Sequence, residues 1–389
     1  VYIVLTPSRI KGLSHRTGEI LFGNLTLLER LESQLLKLNV SFKKISFEQL
    51  STLKGETVFF DDIFYSENLI QKLITEKWVF SDKESGAIEG KFNSAICFDN
   101  IQSISIFFGL THAKKNDIEQ QSLMKIPLKL PESIYPEKNY HVALPNIYCQ
   151  KILDWPDLLK AQSLFAREII INSVRIWKTI FGEFLLNKLM NHPFLAKRNN
   201  RIGKNCQIHP TAILESCVIG DNVEIGPYCY LRGAIIGDDV VIQEHSSIKL
   251  STIGKGTYIL PCQIFNCLIG KEVLITTHIL FHCVVGDSTF IGGGVGFADL
   301  NASRKNISVS VGKATQSSDQ MFLGSMIGEH GFIGAGLLFN SGQRIPHHST
   351  FLNYQMIQKA DLKEDQIYVA QGSRVTQSPK QFLKESKKL

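Results

Sequence analysis

The sequence lacks the cysteine pairs and long apolar runs that mark several protein classes. None of its eight cysteines forms a CxxC pair, so neither a zinc ribbon nor a redox dithiol is indicated. No apolar run approaches the roughly 18 residues that cross a bilayer, and the first residues do not follow the pattern of a secretory signal. We therefore expect a cytoplasmic protein with no membrane segment.

A strong charge of one sign is also missing. The chain carries 42 basic and 36 acidic residues, for a net charge of +6, and several of the lysines lie in the last ten positions. This mild excess favours small anionic ligands and does not indicate nucleic acid. The length of 389 residues exceeds what one hydrophobic core usually covers, so two domains are expected.

Aliphatic residues recur at steps of five or six residues from residue 202 onward. Three steps make one coil, because Ile219, Ile236 and Ile253 follow one another at 17 residues and Ile269 follows after 16. We expect each of these anchors to point inward and to stack on its equivalent one coil away, at about 4.8 Å. The pattern predicts an all-β domain at 201–350, a left-handed parallel β-helix of hexapeptide repeats.

Small side chains occupy the position two residues before each anchor, where a second inward site is expected. Six of the eight cysteines obey this rule: Cys206, Cys217, Cys229, Cys262, Cys267 and Cys283. Buried free cysteine behaves as a small hydrophobic residue, so these side chains are predicted to serve packing.

The repeat is irregular between residues 275 and 285. If Leu280 is the anchor there, His278 falls on the small inward position. If Ile279 is the anchor, Thr277 takes that position and the steps become uneven. Departures from a consistent pattern concentrate at functional positions, so this stretch is a candidate site.

The first half alternates strand-like and helix-like segments: "VYIVLT", "TLLERLESQLLKL", "TVFFDD" and "SENLIQKLITEKW". This order predicts a doubly wound α/β domain at 1–156, with ligands at the carboxyl ends of its strands, where Asp62 lies. Residues 157–200 are predicted to be a helical bridge. Within the β-helix, 298–321 is predicted to be an extended arm, and 351–389 forms a C-terminal cap and tail.

Two segments of the second half, "FHCVVGDSTFIGGGVGFADLN" and "FLGSMIGEHGFIGAG", resemble the N-acetylglucosamine-1-phosphate uridylyltransferase family. That family joins a nucleotidyltransferase domain to a hexapeptide-repeat acyltransferase domain. Its general base for acetyl transfer to a sugar amine is a histidine, which here would be His282. Counting back from Gly286 without a gap instead places Phe281 at the family's position. Asp299 stands where the family's arm has asparagine, with Asn301 two residues further on.

The N-terminal segment "LTPSRIKGLSHRTGEILFGNLTLLERL" resembles the start of the same family, where a glycine-rich loop with an arginine holds a nucleoside triphosphate. The resemblance implies phosphate contacts from Arg9, Lys11 and Gly12, and a magnesium-binding role for Asp62. This loop is shorter than the family's loop and lacks its glycine pair.

The resemblance also implies a function. It is sugar-nucleotide biosynthesis: nucleotidyl transfer to a sugar-1-phosphate, acetyl transfer from acetyl coenzyme A to an amino-sugar phosphate, or both. Ser325 and Arg344 would contact coenzyme A, and His278 is a second catalytic candidate beside His282. The partners would be a sugar phosphate, a nucleoside triphosphate and Mg²⁺, without nucleic acid or membrane, in a homotrimer.

Two other interpretations remain open. His245, Cys262 and His278 each lie three residues after a candidate anchor and could form a column of zinc ligands, as in hexapeptide-repeat carbonic anhydrases. Alternatively, both sites have lost their chemistry, and the protein binds sugar nucleotides as a non-catalytic regulatory or scaffold protein.

Overall fold

A computed structural model gives the fold. It describes residues 1–11, 13–22, 25–52, 57–75, 79–81, 94–97, 123–127, 139–143, 149–166, 169, 200–301, 305–311, 314–318, 320–352, 356–357 and 367–369. The chain divides by its internal contacts into two units. Val1–Thr6 with Glu29–Lys151 forms what we call the sheet unit, and Pro7–Leu28 with Ile152–Leu389 forms the prism unit. The predicted domain boundaries stay predictions.

The sheet unit is built on a five-stranded parallel sheet. Its strands, in spatial order, are Lys43–Ser46, Tyr2–Leu5, Thr57–Phe60, Ser94–Cys97 and Val79–Ser81. Along the chain, the helix Leu27–Lys37 comes after the strand Tyr2–Leu5, and the helix Glu67–Thr75 comes after the strand Thr57–Phe60, as the alternation predicts. Two antiparallel pairs complete the unit: Ile63–Tyr65 with Cys149–Lys151, and Leu123–Pro127 with Asn139–Ala143. The predicted α/β class is confirmed.

The strand order reverses at Tyr2–Leu5, whose neighbours are Lys43–Ser46 on one side and Thr57–Phe60 on the other. Such a reversal makes the carboxyl ends of the two central strands the usual place for a ligand. In this protein, hydrogen bonds link the residues that follow these two strands, Thr6 and Asp61. Asp61 Oδ1 accepts hydrogen bonds from the Thr6 backbone N–H at 2.8 Å and from Thr6 Oγ1 at 2.7 Å.

The prism unit contains parallel strands on three faces, which confirms the predicted left-handed parallel β-helix. The first face consists of Arg201–Ile202, Val218–Ile219, Ile235–Ile236, Thr252–Ile253, Leu268–Ile269, Val284–Val285, Ser325–Ile327 and Gln343–Ile345. The second face consists of Gln207–Ile208, Glu224–Ile225, Val241–Ile242, Tyr258–Ile259, Leu274–Ile275, Phe290–Ile291, Phe332–Ile333, Thr350–Leu352 and Ile367–Val369. The third face consists of Ile213–Glu215, Tyr230–Arg232, Ser247–Lys249, Gln263–Phe265 and Ile279–Phe281, followed by Gly296–Phe297, Leu338–Phe339 and Met356–Ile357.

The anchors fill the interior as predicted. Ile236, Ile253 and Ile269 are each exposed by 1% or less, and they lie in one continuous apolar cluster. Five of the six cysteines on inward positions are buried and Cys206 is half-buried, which agrees with their predicted packing role.

The irregular coil combines the two alternatives that the sequence left open. Leu280 is the anchor, because it pairs with Ile264 and has no exposed surface. Thr277 fills the small inward position instead of His278, which is exposed, and the Thr277 hydroxyl donates a hydrogen bond to the Val295 carbonyl at 2.5 Å. A buried hydroxyl is tolerated there because it has this partner.

Outward residues of the first face are also buried. Leu268 and Val284 are 4% and 2% exposed although they do not point into the prism. Residues 13–21 pass close to both, and the helix 155–166 lies over the neighbouring coil, where Thr252 Oγ1 donates to Gln162 Oε1 at 2.6 Å. The first face therefore supports the helix and the N-terminal loop. The rest of the predicted bridge lies outside the described residues.

The predicted arm folds back onto the prism instead of extending from it. Ser308–Val311 and Ala314–Ser317 form an antiparallel hairpin, and the preceding Ile307 is fully buried. A Cβ on Gly342 would lie 2.7 Å from Ile307 Cγ2, and Gly342 has φ +69°, so only glycine fits below the arm at this turn.

No helix among the described residues is both long enough and apolar enough to cross a membrane. A cytoplasmic location stays a prediction.

Adjacent residues on one strand test the register of the irregular coil. Leu280→Ala should lower the free energy of unfolding by about 2–5 kcal/mol, because it leaves a cavity in the prism. Ile279→Ala is the matched control: that side chain is 51% exposed, so its loss should cost no more than about 0.5 kcal/mol. Urea unfolding of both variants measures the difference, and equal losses would contradict the register.

Candidate functional site

His282 occupies the corner between the third and first faces. Its φ is +53°, and Ser216, Leu250 and Asn266 occupy the same corner in earlier coils with φ between +49° and +52°. The backbone ladder fixes this register, since His282 N–H donates to the Phe265 carbonyl at 2.9 Å. The repeat therefore places the imidazole beside a strand end, on the outer surface of the prism.

A carboxylate lies next to this imidazole. His282 Nδ1 is 2.9 Å from Asp299 Oδ2, and the two side chains are 12% and 26% exposed. Asp299 comes from the first residues of the arm. In the described part of the chain, His282 Nε2 has no hydrogen-bond partner, so this atom can accept a proton from a ligand.

Aromatic rings contact the same imidazole on two sides. Phe322, at the return of the arm, stacks on it with ring centroids 5.7 Å apart and planes at 24°. Phe265, one coil below, meets it edge-on at 5.2 Å and 83°. The arm therefore supplies both a carboxylate and a ring to His282, and its two ends are joined by a hydrogen bond from Leu323 N–H to the Asp299 carbonyl at 2.8 Å.

Glycine stands directly above His282 in the next coil. A Cβ on Gly324 would lie 2.4 Å from the Phe281 carbonyl oxygen and 2.6 Å from Cys283 Sγ, so a side chain does not fit. Because the next coil contributes no side chain at this corner, Asp299 and Phe322 can approach the imidazole from the arm.

Two cations lie on the third face in coils below this corner. Arg232 and Lys249 are paired in register, as are Lys249 with Phe265 and Phe265 with Phe281. Lys249 is therefore two coils from Phe281, roughly 10 Å at the usual strand spacing. The Arg232 side chain is 48% exposed and lies 3.7 Å from Glu215. This column of residues can attract an anionic group close to His282.

His278 and His282 lie at opposite ends of the strand Ile279–Phe281. Four extended residues span about 13 Å, so the two histidines do not form one catalytic site. The zinc interpretation fails as well: Cys262 points into the core at 2% exposure, whereas His245 and His278 are exposed. Among the described residues no cluster of three potential ligands could hold a metal.

The two residues predicted to contact coenzyme A, Ser325 and Arg344, are buried or bonded to other residues of the prism unit. Ser325 has no exposed surface and lies two residues before the anchor Ile327, which speaks against a contact with a ligand. Arg344 is 12% exposed, forms an ion pair with Asp154 through Nη2, and donates from Nη1 to the Lys11 carbonyl at 3.0 Å. Arg344 thus joins the N-terminal loop and the start of the 155–166 helix to the prism.

The loop predicted to hold phosphate belongs to the prism unit. Arg9 is exposed and donates to the Ser14 carbonyl at 3.2 Å, and Lys11 is also exposed. Ser14 N–H in turn donates to Glu329 Oε1 at 3.0 Å, on the prism. Gly12 lies outside the described residues. The phosphate contacts stay predictions.

Asp62 follows Asp61 at the end of the strand Thr57–Phe60 in the sheet unit. Its side chain is 2% exposed, and Asp61 is engaged by Thr6. Magnesium binds through open carboxylate positions together with phosphate oxygens and water. Because neither carboxylate is presented in this way, the described residues do not fit a magnesium site.

Burial makes the inward cysteines poor nucleophiles. It raises the pKa of Cys217 to about 11 and that of Cys262 to about 12. The pKa of Cys283, beside His282 in sequence, is also raised well above its usual value, mainly by burial. Since the thiolate is the reactive form, these groups remain inert thiols near neutral pH.

With this geometry established, comparison with known proteins gives one family match and several structural ones. Residues 192–289 match the model of the GMPPB C-terminal domain. No curated protein matches the sequence. Solved structures that match include UDP-N-acetylglucosamine acyltransferase from Francisella novicida, at 16% identity and a TM-score of 0.20 over 48% of this chain and 72% of that one.

Two further structures are similar over the same share of the chain. UDP-N-acetylglucosamine O-acyltransferase from Moraxella catarrhalis RH4 has 18% identity and a TM-score of 0.18, covering 48% of this chain and 76% of that one. AntD, an N-acyltransferase from Bacillus cereus solved with dTDP and coenzyme A, has 18% identity and a TM-score of 0.19, covering 48% and 89%. At these TM-scores the matches carry no argument about activity, and the strand pairing itself establishes the fold.

Sequence reasoning missed Arg232, Lys249, Phe265 and Phe322 as neighbours of the site. Arg232 and Lys249 could have been found from the sequence, because each directly follows an anchor. They are 17 residues apart, one full coil, so they lie in one column on the outer surface. Phe322 lies at the far end of an insertion without periodicity, and no spacing rule places it beside His282.

Proposed function

We propose that the prism unit transfers an acyl group from a thioester donor to the amino group of a phosphorylated sugar. The observation that supports this most is His282, with Nδ1 held by Asp299 and Nε2 available to a ligand. Histidine is suited to removing a proton from an amine nucleophile near neutral pH. The match of residues 192–289 to the GMPPB C-terminal domain and the resemblance to the uridylyltransferase family support a sugar-nucleotide context.

The reaction follows from this arrangement. The sugar nitrogen attacks the thioester carbonyl carbon while His282 Nε2 takes a proton from that nitrogen. The carbon–sulfur bond then breaks, and the leaving sulfur recovers the proton from the imidazolium. Asp299 stabilises the imidazolium through its contact with Nδ1. Acetyl coenzyme A is the proposed donor, and it supplies the acyl group already activated as a thioester.

Replacement of the base tests this function. His282→Gln should lower kcat for acyl transfer roughly 10²- to 10⁴-fold, the usual contribution of a general base. The assay measures free thiol release from acetyl coenzyme A over a panel of amino-sugar phosphates. His209→Gln is the matched control, because His209 is exposed and its Nδ1 contacts Thr211 alone, with Oγ1 at 2.9 Å and the backbone N–H at 3.3 Å. A His282→Gln enzyme with unchanged activity would contradict the assignment of His282 as the general base. A wild-type protein that is inactive with every acceptor and donor would contradict the proposed acyl transfer.

The phosphate of the acceptor is proposed to bind at Arg232 and Lys249. Both are cations on the column that leads to Phe281, and Lys249 Nζ lies 5.2 Å over the Tyr230 ring, which limits where it can point. Positive groups close to a reacting centre attract an anionic substrate and orient it. Glu215 offsets part of the Arg232 charge, so Lys249 is expected to make the stronger contact.

Substitution of these cations should affect binding more than chemistry. Lys249→Ala is expected to raise KM for a phosphorylated acceptor about tenfold or more, since a hydrogen bond to a charged group contributes about 1.5–3 kcal/mol. KM for the same sugar without phosphate should not change. Lys255→Ala is the control, because Lys255 pairs with Asp239 at 3.1 Å on another corner of the prism. A KM that rises equally for both acceptors would contradict a phosphate contact.

For the sheet unit we propose nucleotide binding without nucleotidyl transfer. The reversal of strand order beside Tyr2–Leu5 supports a ligand site, and the buried Asp62 with the engaged Asp61 argues against a magnesium-dependent reaction. Nucleotidyl transfer to a sugar-1-phosphate with Mg²⁺ is the competing prediction from the resemblance. The homotrimer and its binding sites between subunits also stay predictions.

Two measurements on the wild-type protein separate these alternatives. With a panel of nucleoside triphosphates and sugar-1-phosphates in the presence of Mg²⁺, we expect an increase in Tm for at least one nucleotide. We expect no release of pyrophosphate from any pair. Release of pyrophosphate would support nucleotidyl transfer as the function of the sheet unit. An unchanged Tm with every nucleotide would contradict the proposed nucleotide binding.

A further inference from the structure

Aspartates at the corner between the first and second faces share one arrangement. Asp221, Asp238 and Asp287 each follow a corner glycine, and each Oδ1 accepts a hydrogen bond from a backbone N–H one coil below, at 2.6–2.8 Å. Each carboxylate lies so close to the coil below that a Cβ on the glycine there would clash with its oxygen. These carboxylates therefore stabilise the contact between successive coils.

Glu329 occupies the equivalent position one coil further on and departs from this arrangement. The strand register places it directly above Asp287. A Cβ on Gly286 would meet the backbone nitrogen of Glu329, not its carboxylate. Glu329 Oε1 accepts instead from Ser14 N–H at 3.0 Å. With one methylene more than aspartate, this side chain turns away from the coil below and reaches the N-terminal loop, which we define as residues 7–22.

The Glu329 carboxylate is buried beside a like charge. Its side chain belongs to a residue that is 5% exposed, and Asp287 lies one coil below, at the strand spacing of about 4.8 Å. Like charges at adjacent positions of neighbouring strands are unfavourable, and a buried carboxylate needs hydrogen bonds from the protein. The loop supplies Ser14 N–H to one carboxylate, and its His15 Nε2 lies 4.0 Å from Asp287 Oδ2. The loop thus meets this pair of carboxylates as it would meet an anionic ligand.

The loop side of this contact has the chemistry of an anion site. Arg9 and Lys11 are exposed in the same loop as Ser14, and the Arg9 guanidinium donates to the Ser14 carbonyl at 3.2 Å. A hydrogen bond from Thr17 N–H to the Ser8 carbonyl at 2.9 Å closes the turn that carries them. Backbone N–H groups combined with arginine and lysine side chains are common donors to phosphate oxygens. A polyphosphate therefore suits the same donors that the prism carboxylate engages.

We propose that Glu329 is an internal substitute for an anionic ligand: its carboxylate holds the N-terminal loop on the prism and competes with a polyphosphate for Ser14 N–H and the cations of the loop. The contact is autoinhibitory, because the loop binds the anion only when Glu329 is displaced. This inference goes beyond the acyl transfer proposed at His282. Its test uses an inorganic anion, so it also does not require the nucleotide binding proposed for the sheet unit.

Isothermal titration calorimetry of the full-length protein with inorganic tripolyphosphate, in the absence of Mg²⁺, measures this competition. Glu329→Gln keeps the size of the side chain and removes its charge, whereas Glu329→Ala removes the contact. We expect both variants to bind tripolyphosphate about tenfold or more tightly than the wild type, because the anion no longer has to displace a charged hydrogen-bond partner. If Glu329→Ala lowers Tm strongly, Glu329→Gln alone decides the test.

Two controls locate the effect. Glu224→Ala removes an exposed carboxylate from the second face and changes the net charge as Glu329→Ala does, so its affinity for tripolyphosphate should equal that of the wild type. Arg9→Ala and Lys11→Ala, added together to Glu329→Gln, should abolish the gain in affinity, because they remove the cations of the loop.

The outcomes also separate this inference from the proposed functions. Equal affinity of the wild type and Glu329→Gln, including no binding by either, overturns the autoinhibitory role. An equal gain in Glu224→Ala, or a gain that survives the loss of Arg9 and Lys11, overturns it as well. A gain that is confined to the Glu329 variants and depends on the loop cations supports it even if neither an acyl acceptor nor a nucleotide is found, in which case the proposed functions alone fail.

Discussion

The stacking of one aliphatic side chain on the next, at the strand spacing of about 4.8 Å, supports everything else in the prism unit. Ile236, Ile253 and Ile269 repeat this contact with almost no exposed surface. Once the inward residue of each coil is fixed, the residue after it must point outward in every coil, and equivalent outward residues form columns. Arg232 and Lys249 become neighbours in this way, although 17 residues separate them in the chain.

The part of the fold that depends on this repeat was predictable from the sequence. The inward positions of Cys217, Cys262 and Cys283 follow from counting back two residues from each anchor. The same count places Ser325 two residues before Ile327, inside the prism, so the register argues against the predicted contact with coenzyme A.

Contacts made by insertions were not predictable, because no period connects them to the repeat. Asp299 reaches His282 only because the arm bends back at its first residues, and Ile307 becomes buried only because Gly342 leaves room for it. The N-terminal loop shows the same limit. Its partners Glu329 and Arg344 lie more than 300 residues away in the chain, so its local sequence resembles a phosphate loop while its contacts are with the prism.

The repeat itself shows why His282 differs from its equivalents. Ser216, Leu250 and Asn266 adopt the same left-handed backbone at the same corner, so a positive φ is a property of the corner and does not mark a functional residue. Such a conformation costs about 1–3 kcal/mol, and at Leu250, Asn266 and His282 a backbone hydrogen bond to the preceding coil accompanies it. What changes at His282 is the next coil, where the inserted arm supplies a carboxylate and an aromatic ring. The chemistry proposed for this protein therefore arises where the regular repeat is interrupted, and the uninterrupted coils show what that corner is like without it.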